Sequence, residues 1–134
     1  MVARGIHHLG VAVNDLDAAL ATYTRLFDAR LEHRAVVTEQ GVEAAALLVG
    51  SGRVELLAPL GTETPVAKFL AHRGEGMHHV AYEVSDVRTA LDTLAAEGAE
   101  LVDEEPREGL FGLQVAFVHP DAVHGVLTEV VSVG

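Results

Sequence analysis

His7-His-Leu-Gly-Val-Ala-Val-Asn-Asp-Leu-Asp-Ala-Ala-Leu20 returns, without a gap, as His78-His-Val-Ala-Tyr-Glu-Val-Ser-Asp-Val-Arg-Thr-Ala-Leu91 at a constant offset of 71 residues. The match pairs His7 with His78, His8 with His79, Val13 with Val84, Asp15 with Asp86, Ala19 with Ala90 and Leu20 with Leu91. Each copy then reaches an apolar run that carries one glutamate, Arg53-Val-Glu-Leu-Leu-Ala58 and Val126-Leu-Thr-Glu-Val-Val131. Glu55 and Glu129 therefore correspond at an offset of 74, and the drift fits loop insertions.

Both copies give the same local signals in the same order. A β-rich segment (5 to 13, and 77 to 84) runs into Asn14-Asp15 or Ser85-Asp86, with Asn14 and Ser85 as expected helix caps and an acid behind each. Leu16, Ala19, Leu20, Tyr23 and Phe27 then recur at helical spacing, as do Val87, Ala90, Leu91 and Leu94. Gly98 marks the end of the second helix, whereas the first stops near Phe27 and Asp28 without a glycine. Strands are expected at about 30 to 38, 42 to 49 and 53 to 58, separated by Glu39-Gln40-Gly41 and Gly50-Ser51-Gly52. A short helix follows around 66 to 72, and the second copy continues with strands near 100 to 103, 113 to 118 and 125 to 131. The order is βαβββ twice, which predicts an α+β fold in one domain, residues 1–134, with modules at about 5–60 and 76–132. Two such modules bury their apolar faces by forming a curved mixed sheet with helices outside and a cleft inside.

Composition narrows the chemistry of that cleft. A chain of 134 residues with 49% hydrophobic residues is long enough for one substantial core and has no stretch of membrane-spanning length. The N-terminal residues enter a strand pattern without the apolar core of a secretory signal, which reads as a cytoplasmic protein. A net charge of -11, with nine scattered Lys and Arg, argues against nucleic-acid binding. Because there are no cysteines, a metal site has to use histidine and oxygen ligands.

Side chains alternate along a strand, so His7, Leu9, Val11 and Val13 share one face while Ile6, His8, Gly10 and Ala12 share the other. The first set suits packing beneath a helix, which turns His8 toward the cleft. The same parity sets His78, Val80, Tyr82 and Val84 against the helix and turns His79 inward. Glu55 and Glu129 lie within apolar runs, where an unpaired charge is costly and coordination to a cation offsets the cost. Two imidazoles and two carboxylates at repeat-equivalent positions form a candidate metal set, His8, Glu55, His79 and Glu129. Such a set suits a divalent ion, with Co²⁺ named first and Mn²⁺, Ni²⁺, Fe²⁺ or Zn²⁺ as alternatives.

With these residues the chain resembles the vicinal oxygen chelate superfamily, which includes glyoxalases, bleomycin-resistance proteins and extradiol dioxygenases. Longer matches resemble methylmalonyl-CoA epimerases: Glu39-Gln-Gly-Val42, Glu55-Leu-Leu-Ala-Pro-Leu60, Pro65-Val-Ala-Lys-Phe-Leu70, Gly76-Met-His-His-Val-Ala81, Asp103-Glu-Glu-Pro106, Phe117-Val-His-Pro120 and Gly125-Val-Leu-Thr-Glu129. The resemblance implies the same four ligands, with Glu55 at a position where the family also accepts Gln. Asp121 stands where related epimerases often carry a basic residue, and the Gly109-Leu-Phe-Gly112 loop is bulkier than theirs.

The implied activity is epimerisation of (2R)- and (2S)-methylmalonyl-CoA through a metal-stabilised enolate, with glutamate acid/base catalysis. Glu43, expected on a strand lining the cleft, is the first candidate base, and Glu129 the candidate on the other face. The implied partners are the acyl-CoA substrate, with ethylmalonyl-CoA also open, and a second copy in a homodimer, with no membrane and no nucleic acid. Another metal-dependent enzyme of the superfamily, glyoxalase-like or a dioxygenase, and a small-molecule binding or resistance protein are the alternatives. Glu83 is expected at a rim or in a salt bridge, and His119 and His124 at turns.

Overall fold

A computed structural model of the chain describes residues 1–133. Eight strands and three α-helices alternate as β1 (Gly5–Ala12), α1 (Leu16–Phe27), β2 (Arg30–Val37), β3 (Val42–Val49), β4 (Gly52–Pro59), α2 (Pro65–Arg73), β5 (Gly76–Glu83), α3 (Val87–Ala96), β6 (Arg107–Glu108), β7 (Gln114–Val118) and β8 (Thr128–Ser132). The βαβββ order is thus written twice, with α2 between. Residues 8–78 form one compact unit, and residues 1–7 with 79–134 form a second.

In the first unit the strand order is β2-β3-β4-β1. β1 runs parallel to β4 with Leu9 opposite Val54 and Gly10 opposite Glu55, while β2, β3 and β4 are antiparallel neighbours. One sheet face packs under α1: Val13, Leu16, Ala45, Leu47, Leu56 and Ala58 form a buried cluster, with Val11, Ala19, Leu20 and Tyr23 against it. Val11 and Val13 lie beneath the helix as their parity predicts. Gly41, in the turn between β2 and β3, has φ +69 and stands so close to Thr64 that an added Cβ would lie 2.6 Å from its Cγ2. A side chain there meets both backbone strain and a clash with the residue that caps α2.

In the second unit the order is β5-β8-β7-β6, with β5 parallel to β8 and the other pairs antiparallel. Val84, Val87, Ala90, Leu91, Ala116 and Val130 form the core under α3. Tyr82, expected in the helix-packed set with Val84, is 37% exposed. Leu47 and Leu91 are fully buried, one in each unit. Leu47→Ala and Leu91→Ala are each expected to lower unfolding free energy by about 3 kcal/mol in chemical denaturation.

Two local expectations are corrected, and the glycine-free end of α1 is explained. Asp15 and Asp86, not Asn14 and Ser85, are the N-caps, their carboxylates accepting from the Ala18 and Thr89 backbone N–H groups. The Thr89 amide and hydroxyl also hold the Asp86 carboxyl below its ordinary pKa. α1 ends without glycine because Asp28 itself takes the left-handed conformation, φ 55, which Asp tolerates better than most residues. The strand expected at 100 to 103 reduces to a single bridge, Leu101 to Val118. The Phe117 carbonyl accepts from both Val102 and Asp103, and the Asp103 side chain accepts from the Phe117 N–H, so a side chain replaces part of the ladder.

Candidate metal centre

Register decides which side chains share the face opposite α1. Gly10 pairs with Glu55, and Glu55 with Ala46, so the first unit presents His8, Gly10, Ala44, Ala46, Glu55 and Leu57 together. His8 is 2% and Glu55 5% exposed, and His8 Nε2 lies 3.6 Å from Glu55 Oε2. Burial raises the Glu55 carboxyl from its ordinary value of 4.5 to about 7.

The second unit repeats the arrangement. Ala81 is opposite Glu129 and Phe117 is opposite Glu129, which puts His79, Ala81, Glu129, Val131, Val115 and Phe117 on one face. His79 is 3% and Glu129 7% exposed, with His79 Nε2 3.9 Å from Glu129 Oε1. The Phe117 ring meets the His79 ring edge-on, 5.7 Å between centroids and 84° between planes, which restricts the imidazole.

Among the described residues the buried polar side chains are His8, Glu55, His79, Thr128 and Glu129. Thr128 donates its hydroxyl to the Val126 carbonyl. The other four are the residues that the repeat and strand parity single out. Two donors each about 2.1 Å from one cation stand roughly 3 to 4 Å apart, so the spacing within each histidine–glutamate pair fits metal ligation. The donor chemistry fits as well, because a buried carboxylate needs a compensating positive charge.

Glu43 does not line that face, contrary to expectation. It pairs with Ala58 and Val36 and lies on the side of β3 that carries Ala45 and Leu47, toward α1. Its Oε2 accepts from Arg34 Nε at 3.0 Å, and Arg34 Nη1 donates to Asp17 of α1 at 2.7 Å. These two carboxylates hold the Arg34 pKa above its ordinary value. On the face shared with His8 and Glu55, the neighbouring position is Ala44. Gln40 lies in a 3₁₀ turn and Lys68 on the exposed side of α2.

Glu83 lies 4.0 Å from Arg4, a weak ion pair at the rim. His119 caps a 3₁₀ turn through the Asp121 N–H, and His124 ends that turn in the left-handed conformation. Sequence reasoning overlooked Phe117 as a neighbour of His79. The alternation of Val115, Phe117 and the in-facing Glu129 strand was its available signal.

Residues 7–117 match the family model described as Glyoxalase/Bleomycin resistance protein/Dioxygenase superfamily. The chain is 36% identical over 131 residues to the ethylmalonyl-CoA/methylmalonyl-CoA epimerase of Cereibacter sphaeroides, covering 96% of this chain and 97% of that one. The crystal structure of methylmalonyl-CoA epimerase from Mycobacterium tuberculosis superimposes with a TM-score of 0.94 at 35% identity, covering 98% of this chain and 89% of that one. A methylmalonyl-CoA epimerase solved with methylmalonyl-CoA and NH4+ gives 0.93 at 36% identity, covering 98% and 95%. The chain belongs to the Glyoxalase/Bleomycin resistance protein/Dioxygenase superfamily and, within it, to the methylmalonyl-CoA epimerase family of isomerases.

Proposed function

We propose that the chain interconverts (2R)- and (2S)-methylmalonyl-CoA at a divalent cation held by His8, Glu55, His79 and Glu129. The observation that carries this function is the burial of those four side chains, two in each unit, at repeat-equivalent positions. Cobalt is the ion we assign first, since mixed nitrogen and oxygen donors suit a borderline metal. When bound, the cation supplies a positive charge that offsets the negative charge of the enolate formed by loss of the substrate's α-proton.

The protein's own groups hold and move that proton. Glu129 is the carboxylate we assign to proton transfer on one side of the α-carbon, and Phe117 keeps His79 oriented beside it. Glu55 is the carboxylate of the corresponding pair in the first unit, beside His8, and we assign it to holding the cation. Glu43, held by Arg34 on the α1 side, takes no part. The Cereibacter relative is named for ethylmalonyl-CoA too, which makes that thioester the second substrate to assay.

Dialysis against a chelator is expected to abolish epimerisation, and added Co²⁺ to restore it. Undiminished turnover by protein shown to be metal-free would refute the metal requirement.

pH adds an independent check. The Glu55 pKa is raised on folding, so its contribution to stability is full below about 4.5 and is lost as pH rises through about 7. Metal-free protein is expected to melt at progressively lower temperature between pH 5 and 8 on this account. Metal binding needs the ionised carboxylate, so apparent metal affinity should rise over the same interval. Glu55→Gln should flatten the melting trend, measured by scanning calorimetry.

We also propose a homodimer. Leu31 and Val36 on the edge strand β2, 54% and 60% exposed, offer apolar surface and unpaired backbone that a second copy covers. Sedimentation equilibrium at micromolar concentration should give twice the chain mass; a monomer would contradict it.

A further inference from the structure

We infer that Arg107 binds an anionic oxygen group of the acyl-CoA substrate, which deepens the epimerase assignment and rests on it. Register carries the inference. Arg107 pairs with Val115 across β6 and β7, and Val115 shares its face with Phe117, which pairs with Glu129. Arg107 is therefore the cation that the strands of the second unit put on the face of His79 and Glu129. Contacts agree with the register: the guanidinium carbon lies 5.6 Å from the centre of the Phe117 ring, and that ring abuts His79.

The guanidinium is also aimed. Asp103 Oδ2 takes Arg107 Nε at 3.3 Å and the Phe117 N–H at 2.8 Å, so one carboxylate fixes the arginine and the strand beneath it together. Asp103 engages Nε, and the Arg107 side chain is 45% exposed, which leaves guanidinium surface for a charge-assisted contact.

Charge explains why one arginine matters. The chain carries a net charge of -11, and Arg107 is the only Lys or Arg after Arg88. Glu104, Glu105 and Glu108 surround it in sequence, so the local field repels anions at long range. Recognition must come from direct, charge-assisted hydrogen bonds rather than from steering. The substrate offers such oxygens in two places, its free carboxylate and the phosphates of coenzyme A.

Steady-state kinetics of Arg107→Met and Arg107→Lys, with methylmalonyl-CoA and with the phosphate-free pantetheine thioester, tests the inference. Loss of a charge-assisted contact is expected to raise KM for the CoA substrate by about tenfold or more in Arg107→Met, with kcat changed much less. Arg107→Lys should recover part of the loss, and melting temperature and metal content should match wild type. A KM rise confined to the CoA thioester assigns the contact to phosphate; the same rise with both thioesters assigns it to the carboxylate. Wild-type KM in Arg107→Met, or a loss tracking destabilisation that lysine does not relieve, overturns the role of Arg107 while wild-type turnover upholds the epimerase assignment. An inert wild-type enzyme removes both.

Discussion

His79→Ala is expected to leave the purified protein without stoichiometric metal and to cut epimerisation by roughly a thousandfold or more, because direct ligands matter more than the outer partners whose loss already costs 10–100-fold. His79 is 3% exposed and stands 3.9 Å from Glu129, so the substitution removes a nitrogen donor from an apolar surrounding where water replaces it poorly. His8→Ala should behave alike, since His8 and Glu55 form the matching pair in the first unit. Elemental analysis and turnover, measured on folded protein, read the two effects separately. Full metal occupancy in either variant would remove that histidine from the ligand set. Phe117 loses the ring it packs against in His79→Ala, so His79→Gln is the companion variant that keeps more of the volume.

Glu129→Gln is expected to have the second largest effect, a loss of epimerisation on the order of a hundredfold, because the amide keeps the shape but cannot accept the α-proton. Glu55→Gln should be milder at the level of metal binding, in keeping with the tolerance for Gln that the family resemblance implies there. Glu43→Gln serves as the contrasting variant: its carboxylate faces α1 and holds Arg34, so turnover should stay within about threefold of wild type. Following α-deuterium incorporation and inversion separately for each epimer distinguishes the roles. Exchange that persists without inversion marks the removed carboxylate as one of two opposed bases. A hundredfold loss in Glu43→Gln would return the base to that residue, and normal inversion in Glu129→Gln would exclude Glu129.

The burial of His8, Glu55, His79 and Glu129 is legible in the sequence because the repeat doubles every signal, and strand parity needs only one known face to orient a whole strand. Val11 and Val13 give that face in the first copy, and both pack under α1 as expected. Glu43 was misplaced for a related reason. The run Glu43-Ala-Ala-Ala has no large side chain to mark which parity is inward, and a slip of one residue exchanges the faces. Only the register of β3 with β4, Glu43 to Ala58 and Ala46 to Glu55, fixes it.

Irregular segments were the other gap. The strand expected at 100 to 103 gives way because Asp103 bonds to the Phe117 backbone, a long-range choice that composition does not reveal. Arg107 is not marked by the sequence beside Asp103-Glu-Glu-Pro106, because its position opposite Val115 depends on β6, only two residues long. The helix caps were off by one residue in both copies. Asn14 and Asp15 are both good caps, as are Ser85 and Asp86, and local preference cannot choose between adjacent candidates.

Proton NMR of a single epimer of methylmalonyl-CoA in D₂O tests the central claim most directly. With cobalt-reconstituted protein the α-proton resonance should disappear as deuterium enters, and the recovered thioester should contain both epimers, whereas chelator-treated protein should leave the signal unchanged. Retention of the α-proton and of a single epimer by the metal-loaded protein would contradict the assignment.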